Sequence, residues 1–137
     1  MEVQIVEKRA DKVCVNTAIG CFYGVWCSSE PAIFSRYIVE LDSDEVLAFD
    51  AIKRSKTHKP SIESTDEAIY ITGLVEEIQD RVMILRLQKT IMMLEITTNL
   101  ALEQHIGHYV RVRLNEIRLY DTGIRGRFST GDGLREP

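Results

Sequence analysis

Three groups of side chains in this 137-residue sequence have the types and spacing to do chemistry. The first is the alternating row Tyr109, Arg111 and Arg113, inside YVRVRLNEIRLY. In an extended strand these three share one face, which sets one ring beside two guanidinium groups. Ring stacking and phosphate neutralisation are how single-stranded nucleic acids are held. The same row could instead pair with Glu76, Glu77 or Glu95 across a sheet. The second group is the acidic run Glu40, Asp42, Asp44 and Glu45, with Asp50 beyond it. It lacks the glycine and the distal glutamate of a calcium loop and reads as a solvated acidic surface. With Tyr23, Trp26 and Tyr37 as aromatic anchors, such a surface suits a protein partner that presents a basic face. The third group is His105 and His108 with Glu103 nearby. Gly107 ends any helix that would carry both rings on one face, so no metal site is expected.

Other chemistries lack a signature. There is no GxSxG nucleophile turn, no phosphate loop of the GxxxxGK[ST] type and no GxGxxG, and no cofactor is expected. Cys14, Cys21 and Cys27 are odd in number and lack paired CxxC spacing. They read as free thiols of a reducing compartment, which places the chain in the cytoplasm. No apolar run reaches the length of a membrane helix, and the first residues lack a basic-then-apolar leader pattern. An enzyme assembled from scattered residues is the least favoured reading.

Short strands must position these groups. Val3 and Ile5, Val13 to Val15, Cys21 to Cys27 and Tyr37 to Leu41 read as strands in the first half. Gly24, inside CFYGVWC, marks a bulge or a close backbone approach. Val46 to Phe49 is a strand or one helical turn. Residues 52–67 carry Lys53, Arg54, Lys56, His58 and Lys59 before Pro60. They read as a long loop or short edge strand, and as the one candidate seam inside a domain spanning 1–124. Residues 68–97 form the densest apolar segment, a three-stranded meander turning at Gln79-Asp80 and at Gln88-Lys89. Asn99 is a candidate cap for a short helix over 100–105. Tyr109 to Tyr120 reads as one long strand with a bulge near Asn115-Glu116. Residues 125–137, with Arg125, Arg127 and Phe128, are a polar, Gly-rich tail.

The expected fold is therefore all-β, with about eight to ten strands and at most one short helix. It is a partly open barrel or two packed antiparallel sheets. The order of meander, short helix and long strand over Ala68 to Asp121 resembles part of an OB-fold barrel. That resemblance implies an oligonucleotide-binding module using Tyr109, Arg111 and Arg113. Against it stands a formal net charge of −4, whose excess acid lies entirely in residues 1–67. A small acidic chain without catalytic signatures fits a protein-binding role first, most concretely a bacterial immunity protein that neutralises a toxin. Single-stranded nucleic acid is the alternative partner, a membrane is not expected, and self-association through exposed strand edges is open.

Overall fold

The computed structural model describes residues 1–99 and 101–124. Twelve strands lie in the first 121 residues: β1 (Glu2–Arg9), β2 (Lys12–Thr17), β3 (Gly20–Trp26), β4 (Arg36–Asp42), β5 (Val46–Leu47) and β6 (Ile52–Arg54). They continue as β7 (Ser61–Ser64), β8 (Ile69–Gln79), β9 (Val82–Leu87), β10 (Thr90–Ile96), β11 (Tyr109–Leu114) and β12 (Arg118–Asp121). Two short 3-10 turns, Phe49–Ala51 and Glu103–His105, are the helical elements among the described residues. The all-β expectation holds. The strand count exceeds it because the polar segment 52–67 contains β6 and β7, whose pairing depends on neighbours and not on apolar alternation.

Two three-stranded meanders carry the architecture, and they match residue for residue. In β1–β2, Ile5 pairs with Val15 and Glu7 with Cys14; in β8–β9, Val75 pairs with Leu85 and Glu77 with Ile84. Each has a bulge at the same place, between Ile5 and Glu7 and between Val75 and Glu77. A bulge bends and twists its strand, which lets the sheet curl. Both first turns hold a left-handed residue, Ala10 (φ 53°) and Asp80 (φ 53°), as a tight two-residue connection requires. The third strands keep the correspondence, with Phe22 opposite Val15 and Met92 opposite Leu85.

Each meander is completed by a strand from the other half of the chain. β1, β2, β3, β12 and β4 close into a five-stranded barrel, in which β12 runs parallel to β3 and antiparallel to β4. In the second sheet, β5 runs parallel to β10 and β6 antiparallel to β11. The matching pairs are Arg118 with Val25 in the barrel and Val46 with Glu95 in the sheet. The halves have thus exchanged their last strands. Their inward residues merge into one apolar cluster, which includes Val15, Phe22 and Leu119 of the barrel and Leu85, Met92 and Val112 of the second sheet. The close approach expected at Gly24 is made by β12: a Cβ there would lie 3.0 Å from Leu119 Cδ1 and 3.2 Å from the Ile117 carbonyl oxygen. β7 pairs with β8 and lies against the β2–β3 hairpin, where Ile62 N–H donates to the Ile19 carbonyl (3.0 Å). Gly20 makes room for it, since a Cβ at that position would sit 2.1 Å from the Ile62 carbonyl oxygen.

Two expectations are corrected. The run Tyr109 to Tyr120 is not one bulged strand: it breaks at 115–117, where the chain leaves the second sheet for the barrel. Apolar phase shows that the face changes there, but not that the sheet changes. Asn99 does not cap the following turn with its side chain; its Oδ1 accepts from Arg81 N–H (2.9 Å), and its carbonyl takes the N–H groups of Leu102 and Glu103. At the break, the Glu45 carboxylate accepts from Asn115 N–H (2.8 Å) and Glu116 N–H (3.1 Å). Asp44 pairs with Arg118 of β12 at 2.8 Å. Glu45→Ala leaves two backbone donors at the crossing without their charged acceptor, so urea denaturation should show a loss of about 1–2 kcal/mol. Asp42→Ala, on the exposed side of β4, should change stability by less than about 0.5 kcal/mol.

Candidate functional site

Register alone assembles a concentration of positive charge. β11 lies between β6 and β8, which puts Arg111 directly opposite Lys53 on one side and Thr72 on the other. Like charges facing each other across an antiparallel pair repel, so this arrangement costs stability unless an anion lies over it. The segment after β6 then brings Lys56 and Lys59 to the same place. The result is a cleft of about 830 Å³ whose walls include Lys53, Arg54, Lys56, Lys59 and Arg111, with Glu63 as its one lining carboxylate. Ser55, Thr57, Ser61 and Thr72 add hydroxyl groups, and Ala18, Ile19 and Gln88, at the hairpin tips of the two meanders, form the remaining side. Lys53, Lys56 and Lys59 make no ion pair among the described residues. Elsewhere Lys8, Arg9, Arg86 and Arg118 each meet a carboxylate.

Aromatic rings stand beside these cations. The Arg111 guanidinium lies 4.0 Å from the centroid of the Tyr70 ring, a cation–π contact that holds the charge in place. His58 stacks on Tyr109, with centroids 5.5 Å apart and an interplanar angle of 22°. Arg54 is anchored at the cleft edge: its Nε donates to His105 Nδ1 (3.2 Å) and its terminal nitrogen to the Gln104 carbonyl (3.0 Å). As an acceptor, His105 Nδ1 must be unprotonated. Burial, followed by the nearby Arg54 and His108 charges, lowers the His105 pKa below its ordinary value.

The row Tyr109, Arg111 and Arg113 does share one outward face, with Val110, Val112 and Leu114 buried behind it. Its cross-strand neighbours on β8 are Leu74, Thr72 and Tyr70. The glutamates that could have paired with it are placed elsewhere, and Glu76 accepts from Nε and one terminal nitrogen of Arg86 (2.8 and 3.2 Å). Residues 53–59 were visible in the sequence as a basic stretch without periodicity. Their meeting with Arg111 was not, because it depends on the pairing of β6 with β11.

The acidic group is dispersed in role. Glu40 and Asp42 are exposed on β4, opposite Tyr120 and Arg118 of β12. Asp44 and Glu45 are engaged at the chain crossing. Trp26 and Tyr37 meet edge to face at 5.0 Å and pack partly against the core. Tyr23 instead donates to Glu7 (3.2 Å), with the Arg9 guanidinium 5.4 Å from its ring. Cys14, Cys21 and Cys27 are free, and burial pushes the Cys14 thiol above its usual range, disfavouring the nucleophilic thiolate. Among the described residues, no group of three or more His, Cys, Asp or Glu is placed to hold a metal ion, and no helix is long and apolar enough to cross a membrane. Arg125, Arg127 and Phe128 lie outside the described residues.

No protein-family model, curated protein or solved structure matches this chain. The His105–Arg54 contact makes a pH dependence testable. With the folded pKa depressed, the unfolded chain binds the proton more readily, so this contribution to stability is present above the ordinary histidine value. It is lost as pH falls below about 6.5. Urea denaturation of the wild type between about pH 7.5 and 5.5 should show that decline, and in His105→Phe the slope over the same window should be flatter.

Proposed function

We propose that the protein is a non-catalytic binding module whose basic cleft holds single-stranded nucleic acid. The observation that carries this reading is the cleft's composition: five cations and one carboxylate, in a chain whose net charge is −4. Three lysines there have no carboxylate partner among the described residues, and Lys53 faces Arg111 across the strand pair, so a row of phosphates would relieve repulsion between them. The rings of Tyr70 and Tyr109 stand beside those charges, one face of each already covered by Arg111 or His58 and neither lining the cleft, so the reading rests on phosphate contacts before base stacking. Cytoplasmic residence agrees with the three free cysteines.

The topology supports the same class. A three-stranded meander, a fourth strand beside the first, and a fifth strand between the third and fourth form the pattern of an OB-like barrel. The first sheet has this order, and we read the second, where β5 beside β10 and β6 beside β11 divide the fifth strand's pairings, as its open counterpart. The cleft does not lie on the face of strands two and three by which such barrels commonly bind. In the second sheet that face carries the Glu76–Arg86 pair, and the cations lie on the opposite flank, around β6 and β11.

A narrower body of support favours a protein partner such as a toxin. Glu40 and Asp42 remain exposed on β4, beside the exposed Tyr120, and a basic partner would associate faster with such a face. Asp42→Lys should then slow association with a co-purified partner and leave oligonucleotide binding intact.

The cleft reading is tested by fluorescence anisotropy with labelled oligothymidine over a salt series. Neutralising phosphates with Lys53, Lys56, Lys59 and Arg111 predicts a log–log salt slope of about −3, from roughly −0.7 per phosphate. Arg111→Ala should weaken binding and flatten the slope by about 0.7. Absence of binding at low salt would refute the reading.

A further inference from the structure

A second cleft, of about 780 Å³, lies where the correspondence between the halves places the counterpart of the first. Its walls include Glu2 and Gln4 of β1, Arg36 and Ile38 of β4, and Lys89 and Thr90 at the β9–β10 hairpin. The match follows from the pairings. Glu2 faces Ile38 across β1–β4 as Thr72 faces Arg111 across β8–β11, which puts Ile38 where the first cleft has Arg111, with Arg36 at the position of the neighbouring Tyr109. The two clefts are contiguous: Ala18, Ile19 and Gln88 line both. The hairpin tips of the two meanders therefore form the ridge between them.

The second cleft is less basic than the first. It has Arg36 and Lys89 against Glu2, with Asn16, Thr17, Gln4 and Thr90 supplying neutral hydrogen-bonding groups. A surface of this kind adds contacts to a strand already held next door but gives little anchoring of its own. Lys89, exposed at the hairpin tip beside the shared Gln88, is the cation placed to meet a phosphate as a strand crosses the ridge.

We propose that a single strand bound in the first cleft continues over the two hairpin tips into the second, where Lys89 takes a further backbone phosphate. This inference rests on the nucleic-acid reading of the first cleft. It assigns a composite site in which the Lys53–Arg111 cleft is the anchor and the second cleft, entered past Lys89, is an extension that only longer ligands reach.

The test is a length series of labelled oligothymidines of about 4 to 16 nucleotides, the range of site sizes for such barrels, against the wild-type protein, Lys53→Ala and Lys89→Ala. Affinity should rise with length beyond what the first cleft holds and then level off. Lys53→Ala should weaken binding at every length. Lys89→Ala should leave the shortest oligonucleotide unchanged and weaken the longest by about three- to tenfold, the loss of roughly one phosphate contact. Lys89 is exposed on a turn, so its substitution should leave the thermal midpoint in place, and that measurement accompanies the binding data. If Lys89→Ala binds long and short oligonucleotides like the wild type while Lys53→Ala weakens both, the extension is wrong and the first cleft stands. If no length binds at low salt, both readings fall.

Discussion

The exchange of closing strands between the two halves is the constraint on which the rest of the structure depends. A three-stranded meander leaves a row of unpaired backbone groups along each edge, and burying its apolar face requires more sheet. Here β12 seals the first meander and β5 with β6 extend the second, each by a parallel step followed by an antiparallel one. The barrel so formed has no free edge. The crossing that makes this possible is short and polar. It is held where the Glu45 carboxylate gathers the Asn115 and Glu116 amides and Asp44 meets Arg118. Each exposed contact of this kind is modest alone, but together they hold the two crossing segments beside one another.

The basic cleft is a by-product of the same exchange. β6 belongs to the first half of the chain and β11 to the second, and they become neighbours only because the closing strands were traded. Lys53 then faces Arg111, and the chain leaving β6 must return along β8 as β7, which sets Lys56 and Lys59 over the gap. The anchoring of Arg54 by His105 extends this dependence, since His105 ends the 3-10 turn that leads into β11. Like charge that is unfavourable for folding is thus concentrated where segments from the two halves meet, and the surrounding scaffold holds it there.

Much of the fold was legible in the residues. Alternation marked β1, β4, the β8–β10 meander and the buried side of β11, and Gly24 signalled the approach of another backbone before β12 was known to supply it. The repeat was not legible. Between the two meanders the aligned positions pair Phe22 with Met92 and Val15 with Leu85, so burial is preserved while identity is not. What the halves share is the length of strands and turns, and that shows only when pairings are compared. The strand exchange was hidden for a different reason. Hydrophobic phase reports which side of a strand is buried, never which sheet the strand joins, so the break at 115–117 looked like a bulge. The acidic run hides a similar distinction: Asp44 and Glu45 resemble Glu40 and Asp42 in sequence, and only the crossing separates their contacts.

The position of β12 near the end of the described chain has a consequence for how the protein is made. Domains of a growing chain commonly fold as units, the N-terminal one first, while synthesis continues. That route is closed here. β3 and β4 wait for residues 118–121 before the barrel can seal, so the residues before them leave the ribosome with the first meander still open. Its long-range pairings make a slow folder. For that interval the exposed edges of β3 and β4 are available to any extended segment nearby, including the same strands of another nascent copy.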